Sequence, residues 1–326
     1  MVDKNDAHTE QVIQRNMVKI LQYQQLPFYK QKSPEWLNQR NNYLTASTIA
    51  SVLGLMGPEA RYQLLLNKAS NGQISSFNGN EATYWGQKYE PVANRIYSYR
   101  NNGIKIYEFG MITNDKYPIL GVSPDGITQY RLLEIKCPYS REINGVIKTE
   151  YFHQMQEQMV VCDFDQCDFL ECQFKEVNSN QFWDDFDQCE NGNQEKGIII
   201  AYLDTETVEI GHIYSPIEYH LNRDKMKEWE QETIQKLIRT DSKQIYITHY
   251  YWYLCKYNCQ LVNRDPQWIT QNYPILEKFW NEVLYYREHG VQLLIDKHDK
   301  EKNSIPITKY LKIQTQPFPK IGKCLL

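Results

Sequence analysis

The stretch from Ser123 to Pro138 constrains the fold of this chain more than any other feature. It reads S-P-D-G-I-T-Q-Y-R-L-L-E-I-K-C-P. Its apolar positions between Leu132 and Cys137 predict a short buried strand. Because successive residues of a strand point to opposite faces, Glu134 and Lys136 share one face and Ile135 points to the other. The pattern therefore predicts a strand with an apolar side in the core and a charged pair on the opposite side.

Asp125 precedes this strand by a segment that is long enough for a strand end and a turn. We expect the chain to turn back between residues 126 and 131, so that Asp125 lies beside Glu134 on a neighbouring strand. Two close carboxylates repel each other unless a cation lies between them. An all-oxygen site suits a hard ion such as Mg²⁺, or Mn²⁺ in its place, with water completing the coordination. Such an ion polarises a phosphoryl oxygen and acidifies a bound water.

Lys136 is expected next to this metal site. It can orient the bound water or deprotonate it, since burial and a nearby metal both shift the pKa of a lysine. The simpler interpretation is a surface hairpin in which Glu134 and Lys136 form an ordinary salt bridge on a solvated face. The full spacing, with Pro124 and Asp125 ahead of E-I-K, is more specific than the triplet alone and favours a metal-dependent nuclease.

Composition limits the partners and the cellular location of the chain. Its 326 residues can bury a substantial core. The 36 basic and 40 acidic residues give a net charge of -4, so a nucleic acid has to be held by a local basic patch and a metal. The eight cysteines show no C-x-x-C spacing, which favours free buried thiols over a metal cluster. No apolar run reaches membrane-spanning length, which predicts a soluble intracellular protein without a membrane partner.

An anion site is predicted near the start of the chain. Trp36 and Arg40 lie four residues apart and share one face of a predicted helix. Ser47 stands just ahead of apolar positions 49, 52 and 53, so residues 45–47 are a predicted helix start. Helix N-termini bind phosphate through free N–H groups, and an Arg adds a bidentate charged partner. Taken alone, Ser47 is more often a helix cap than a phosphate ligand.

Two further predicted helices carry polar residues that are candidates for the metal site. A helix from about residue 81 to 99 places Glu90 beside its apolar face, and Pro91 within it predicts a kink or a restart. A partly buried carboxylate needs a partner, and a metal site on the adjacent sheet would be one; a solvated glutamate is the alternative. A helix beginning near Tyr151 places Tyr151, Gln154 and Gln158 on one face, where such side chains can hold a water or a phosphate oxygen, although such a face is more often simply solvated.

Strands are also expected near residues 104–112, 167–177, 197–203 and 208–214. These expectations divide the chain into an N-terminal helical arm (1–34), a nuclease core (35–215) and an aromatic-rich helical C-terminal extension (216–326). Aromatic residues between 246 and 257 can stack bases. Packing against the apolar face of the next helix, near residues 275–284, is the favoured interpretation.

Five motifs in order resemble the lambda-exonuclease-like, YqaJ-type viral recombinase family of PD-(D/E)xK nucleases. Between about Trp36 and Phe174 they read W-L-N-Q-R with L-T-A-S, W-G-Q-K-Y-E-P, S-P-D-G, L-E-I-K-C-P and Y-F-H-Q-M-Q. The resemblance implies an α/β fold with a restriction-endonuclease-like core, a mixed β-sheet flanked by helices, and a helical C-terminal extension. The region beyond about residue 215 lies outside the resemblance.

The resemblance also implies site roles. The metal would be bound by Asp125, Glu134 and the Ile135 carbonyl, with Glu90 assisting. Lys136 and Gln154 would position the attacking water. The terminal 5′-phosphate would be held by Arg40, Ser47 and Ser123.

The implied activity is Mg²⁺-dependent hydrolysis of the 5′-phosphorylated strand at duplex DNA ends, from 5′ to 3′. The 3′ single strand that remains would serve recombination or repair, together with a single-strand annealing or binding protein. A homo-oligomer is compatible with the resemblance, and a viral protein would act in the cytoplasm or nucleus of its host cell. Two alternatives stay open: a structure-specific endonuclease with the same metal site, and a non-catalytic DNA-end-binding module, against which the intact Asp125, Glu134 and Lys136 argue.

Overall fold

A computed structural model describes residues 7–29, 33–74, 79–187, 195–239 and 243–304. The α-helices are α1 (Ala7–Tyr23), α2 (Pro34–Asn41), α3 (Ile49–Val52), α4 (Gly57–Ala69), α5 (Glu81–Arg100), α6 (Thr149–Val161), α7 (Ser179–Asp184), α8 (Arg223–Leu237), α9 (Trp268–His289) and α10 (Gln292–Ser304). The strands are β1 (Leu44–Thr45), β2 (Ile112–Thr113), β3 (Leu120–Val122), β4 (Gly126–Ile127), β5 (Leu132–Lys136), β6 (Gln166–Val177), β7 (Lys196–Asp204), β8 (Glu209–Tyr214) and β9 (Gln244–Asn263). Short 3-10 helices span Ala46–Thr48 and Ile217–Leu221.

A six-stranded mixed sheet with the order β4-β5-β6-β9-β7-β8 forms the centre of the fold. Strands β5 and β6 run parallel, and the other neighbours in this sheet are antiparallel. A smaller sheet has the order β1-β3-β2. With helices on the sheet and at the C-terminal side, this architecture confirms the predicted α/β fold.

Strand β5, next to the edge strand β4, is covered on both faces. Leu133 and Ile135 lie in a core cluster with the buried face of α5, which includes Tyr89 and Val92. Leu132, on the opposite face, packs in another cluster that also contains the α6 residues Met155 and Met159. The alternation predicted from sequence is therefore confirmed, and the strand holds Glu134 between the sheet and α6.

The C-terminal third differs from its prediction in one respect. Helices α8, α9 and α10 are present, but the extension predicted to be helical also contains a long strand. Residues 244–263, for which the sequence favoured only aromatic packing, form β9 between β6 and β7. Aromatic residues favour strands. The buried aromatic residues of β9 pack inside the sheet core, where Trp252 makes an edge-to-face contact with Phe174 and the two ring centroids lie 5.4 Å apart. The sheet thus continues beyond residue 215, while residues 305–326 lie outside the described part of the chain.

Three local expectations are also corrected. Residues 104–112 form no continuous strand but a single bridge between Tyr107 and Ile127, followed by β2. Helix α5 runs through Pro91 as one element, so the restart that was one of the two expectations for Pro91 does not occur. The helix expected after Ser47 is short, since one 3-10 turn leads into the four-residue α3. Strands β6, β7 and β8 lie where the sequence predicted them.

Six cysteines lie within the described residues, and all of them are free thiols. Those at positions 137, 162, 167 and 172 are buried as expected, whereas Cys255 and Cys259 are exposed. Cys189 and Cys324 lie outside the described residues. Across the described ranges, no helix has the length and apolar character that crossing a membrane requires.

Candidate functional site

The predicted site residues all lie around one cleft, which has a volume of about 460 Å³. They come from α2, the 3-10 turn at Ala46–Thr48, α5, the loop between β3 and β4, β5 and α6: Arg40, Ser47, Glu90, Ser123, Asp125, Glu134, Ile135, Lys136 and Gln154. Segments far apart in the chain thus meet at one end of β5. The roles assigned to these residues stay predictions, but their convergence in one cleft is a structural fact.

A hydrogen bond holds Asp125 against β5, the strand that carries Glu134 and Lys136. Gly126 pairs with Leu133 in the antiparallel β4–β5 ladder, and Asp125 Oδ2 accepts a hydrogen bond of 2.6 Å from the backbone N–H of Ile135. A Cβ on Gly126 would lie 2.5 Å from Ile106 Cγ2, so glycine is needed for this close approach. The turn predicted between residues 126 and 131 therefore places Asp125 as expected.

Glu134 is completely buried, which contradicts the solvated-hairpin interpretation. Its Oε1 accepts hydrogen bonds from Lys136 Nζ and, at 2.7 Å, from Gln154 Nε2. Its Oε2 accepts one of 2.6 Å from Gln158 Nε2. The sequence predicted Gln158 on the same helix face as Gln154, but Gln158 was not among the predicted site residues. Gln154 thus contacts a carboxylate rather than open solvent.

Burial and electrostatic repulsion raise the pKa values of the Asp125 and Glu90 carboxyl groups. The pKa of Asp125 stands well above its usual value because of burial and then the charges of Glu134 and Glu90, which outweigh Lys136 and the Ile135 N–H. Burial, followed by Glu134, raises the pKa of Glu90 to about 7. Burial lowers the pKa of Lys136, but the Glu134 and Asp125 carboxylates outweigh this effect and raise it above its usual value. The positive charge of Lys136 therefore does not balance the carboxyl groups of the cleft, and Lys136 stays protonated at neutral pH.

These groups fit a hard divalent cation. The side chains of Asp125 and Glu134 and the Ile135 carbonyl would supply only oxygen ligands, which Mg²⁺ and Mn²⁺ prefer. Within the described residues, no group of three or more His, Cys, Asp or Glu could hold a metal by itself. Two carboxylates and a carbonyl suffice for Mg²⁺, because this ion usually keeps several of its waters.

The second half of the cleft carries the predicted anion site. The Arg40 guanidinium lies over the Trp36 ring at 4.6 Å. Its Nη2 donates to Ser47 Oγ at 3.0 Å and to Thr45 Oγ1 at 3.2 Å. Thr45 was not predicted as a site residue. Because α3 has only four residues, the helix-end contribution expected at Ser47 is small, and the predicted anion site depends on its side chains.

A larger cleft of about 670 Å³ lies beside the second half of α5. Its lining includes Arg95, Tyr99, Lys105 and Tyr214, and none of the predicted site residues. The smaller cleft is the better candidate because it gathers the repelling carboxylates, the charged lysine and the arginine in one place.

Comparison with known proteins shows a family similarity for the part of the chain that forms this cleft. Residues 35–165 match the model of the YqaJ-like viral recombinase domain. An uncharacterized protein of Acanthamoeba polyphaga mimivirus is 30% identical, over 88% of this chain and 59% of that protein. The chain thus spans about three fifths of the length of this curated relative.

Solved structures with similarity to the chain include two exonucleases. An alkaline exonuclease from Laribacter hongkongensis is 21% identical and has a TM-score of 0.48, with coverage of 82% of this chain and 99% of that chain. A phage-related exonuclease from Haemophilus somnus is 13% identical and has a TM-score of 0.43, with coverage of 80% and 99%.

The family match begins one residue before Trp36 and covers all nine predicted site residues. It therefore confirms the resemblance that the five sequence motifs indicated. Residues 35–165 of this chain are similar to the YqaJ-like viral recombinase domain.

Proposed function

We propose that the protein is a divalent-metal-dependent DNA exonuclease that degrades the 5′-phosphorylated strand of duplex ends and leaves a 3′ single strand. The observation that carries this proposal is the cleft itself, in which a carboxylate pair suited to a metal and an arginine-hydroxyl group suited to a phosphate lie together. A nuclease that starts at an end needs both parts. The YqaJ-like domain supports the same activity.

Asp125 and Glu134 are the proposed metal ligands, with the Ile135 carbonyl. A bound Mg²⁺ would supply a polarised phosphoryl oxygen and an acidified water. The protein holds its two carboxylates in place for this: the Ile135 N–H fixes Asp125, and two glutamines fix Glu134. Glu90 adds a third carboxylate at the edge of the site, with a pKa near neutrality. This group can accept a proton from water close to physiological pH.

Lys136 is proposed to orient the attacking water as a hydrogen-bond donor. Its raised pKa keeps the ammonium charged. We therefore assign Lys136 the role of a donor to the water and not that of a base that removes its proton. The side chain is 25% exposed and pairs with Glu134, so it lies at the border between the ligands and the open cleft. From there it can also stabilise negative charge that develops on the phosphate.

Arg40, Ser47 and Ser123 are proposed to bind the terminal 5′-phosphate. A planar guanidinium donates two parallel hydrogen bonds to a phosphate, and hydroxyl groups add further donors. The Trp36 ring and the Ser47 and Thr45 oxygens hold the guanidinium in one orientation. A phosphate bound there would set which strand enters the metal half of the cleft, and this defines the 5′ to 3′ direction.

The product of this reaction suits recombination or repair. A duplex with a 3′ single strand is the substrate of a single-strand annealing or binding protein, which we propose as a partner. With a net charge of -4, the chain would depend on the cleft to hold DNA, so binding should weaken as salt rises.

The test compares end-labelled linear duplex with closed circular duplex, each with Mg²⁺ or with EDTA. We expect linear duplex carrying a 5′-phosphate to be degraded to mononucleotides from the 5′ end with Mg²⁺ only. The Asp125→Ala variant should be inactive on both substrates. Cleavage of the closed circle as fast as the linear duplex would replace the exonuclease by an endonuclease, and end binding without any cleavage would make the protein a binding module.

A further inference from the structure

The C-terminal end of α2 is held by cations from two other helices. Lys68 of α4 donates from Nζ to the backbone carbonyl of Arg40 and, at 2.7 Å, to that of Tyr43. Arg287 of α9 donates from Nη2 to the carbonyl of Asn41 at 2.6 Å, and its guanidinium also binds the carbonyl of Lys68. The last carbonyls of a helix lack intrahelical partners and carry partial negative charge, so cations stabilise this end.

Helix α2 depends on these bonds for its position. It has eight residues, and none of them is buried. Apolar packing therefore contributes little to its placement, although this helix carries Trp36 and Arg40 into the cleft. The hydrogen bonds from Lys68 and Arg287 to its end fix it on the core, together with one of 2.8 Å from Asn41 Nδ2 to the Asn71 carbonyl.

Lys68 itself is only 4% exposed, and a buried ammonium is unfavourable unless its donors are used. Burial, followed by the charges of Arg40 and Arg287, lowers its pKa to about 7. Glu157 on α6 is completely buried, and neither of its carboxyl oxygens has a hydrogen-bond partner among the described residues. Burial raises the pKa of Glu157 well above its usual value, although the charge of Lys68 opposes this effect. Lys68, Arg287 and the Glu157 carboxyl group thus lie behind the proposed phosphate pocket.

We propose that Lys68 and Arg287 are positioning residues for the terminal-phosphate pocket. They hold the backbone that carries Arg40, while Trp36, Thr45 and Ser47 hold its guanidinium at the other end. Through Arg287, helix α9 takes part in substrate selection although it lies outside residues 35–165. This inference rests on the proposed function, because it concerns how the pocket selects a 5′-phosphorylated end.

The experiment uses the full chain with Mg²⁺ and measures degradation of 5′-phosphorylated and 5′-hydroxyl duplex by Lys68→Met and Arg287→Met. We expect the ratio of the two rates to fall at least about threefold in each variant, since a small displacement of a positioning group is enough to lose rate. The KM for the phosphorylated duplex should rise. The matched control is Arg61→Met, which removes a 2.9 Å bridge between α4 and α9 to Glu282 without touching α2. Its ratio should be unchanged.

The rate ratio separates positioning from stability, because a lower folded fraction reduces both rates equally. Equal losses on both substrates in Lys68→Met and Arg287→Met would overturn the inference. If Lys68→Met does not fold, the half-buried Arg287 decides the question alone. If the unmodified protein itself shows no preference for a 5′-phosphate, the proposed function fails, and this outcome is distinct from a preference that persists in the variants.

Discussion

The Asp125 carboxylate and the Ile135 backbone N–H are joined by a hydrogen bond of 2.6 Å. This contact places one proposed ligand against the strand that carries the other, Glu134, and the proposed catalytic Lys136. A carboxylate so held keeps its second oxygen for another partner. The electrostatic repulsion among Asp125, Glu134 and Glu90 is accordingly built into the fold before any cation binds.

The first prediction concerns Asp125. Asp125→Asn should abolish cleavage, yet it should stabilise the metal-free protein at pH 8, because the amide oxygen can still accept from Ile135 without adding charge. The gain should be about 1.4 kcal/mol or more, the equivalent of one pKa unit. Denaturant unfolding in EDTA measures it, with the exposed Asp165→Asn as control. Retained cleavage in Asp125→Asn would rule out its role as a ligand.

The second prediction concerns Lys136. Lys136→Ala should lower turnover by about 10² or more, as expected when a donor that orients the attacking water and stabilises charge on the phosphate is lost. Mn²⁺ binding should survive, since no ligand is removed. Calorimetric titration with Mn²⁺ and single-turnover rates check both expectations, and Lys236→Ala on the exposed face of α8 is the control. Loss of Mn²⁺ binding in Lys136→Ala would make the lysine a structural counter-charge.

The third prediction concerns Gln158, which holds Glu134 Oε2. Gln158→Ala should weaken Mn²⁺ binding about 10- to 100-fold, the usual effect of removing a partner that orients a metal ligand. The matched control is Gln156→Ala, because Gln156 is equally buried on α6 but binds the Asn263 carbonyl instead. Both variants should lose stability, and only Gln158→Ala should lose metal affinity. Equal Mn²⁺ affinities in the two variants would contradict the assignment.

The fourth prediction concerns pH. Asp125 and Glu90 have raised pKa values in the folded state, so between about pH 4.5 and pH 7 the folded protein binds more protons than the unfolded chain. The free energy of unfolding in EDTA should therefore fall as pH rises through this window. Mg²⁺ should restore stability at the upper end. Thermal unfolding at several pH values checks this, and the Glu90→Gln, Asp125→Asn double variant should show a flatter profile.

Much of the site was predictable because it depends on short-range patterns. The strand period of two places Glu134 and Lys136 together, and a turn of known length returns Asp125 to them. The helical period likewise placed Gln158 on the same face as Gln154, one turn later. These inferences need no knowledge of distant contacts.

The position of β9 was not predictable in the same way. Its partners β6 and β7 are strands from much earlier in the chain, and four consecutive residues, 251–254, are buried because both faces of the sheet are covered there. Such a run shows no alternation that would distinguish a strand from a buried helix. The burial of Lys68 likewise leaves no mark in the sequence, since a lysine on a helix is usually solvated.

The last prediction separates an enzyme that acts at ends from one that cuts internally, and it depends on Arg40. A 5′-hydroxyl end lacks the dianion that the Arg40, Ser47 and Ser123 side chains would bind, and each charge-assisted hydrogen bond contributes about 1.5 to 3 kcal/mol. The unmodified protein should therefore degrade 5′-phosphorylated duplex at least about tenfold faster than 5′-hydroxyl duplex, since about 1.4 kcal/mol is already a factor of ten.

In Arg40→Ala this preference should shrink, because attack on the phosphorylated end becomes slower while the hydroxyl end never used the contact. Arg40→Lys should keep part of the preference, since an ammonium supplies charge but not the bidentate geometry of a guanidinium. Initial rates on the two end types, measured in parallel for the three proteins, give the comparison. If Arg40→Ala slows both substrates by the same factor, the guanidinium serves the structure of the cleft rather than recognition of the terminal phosphate.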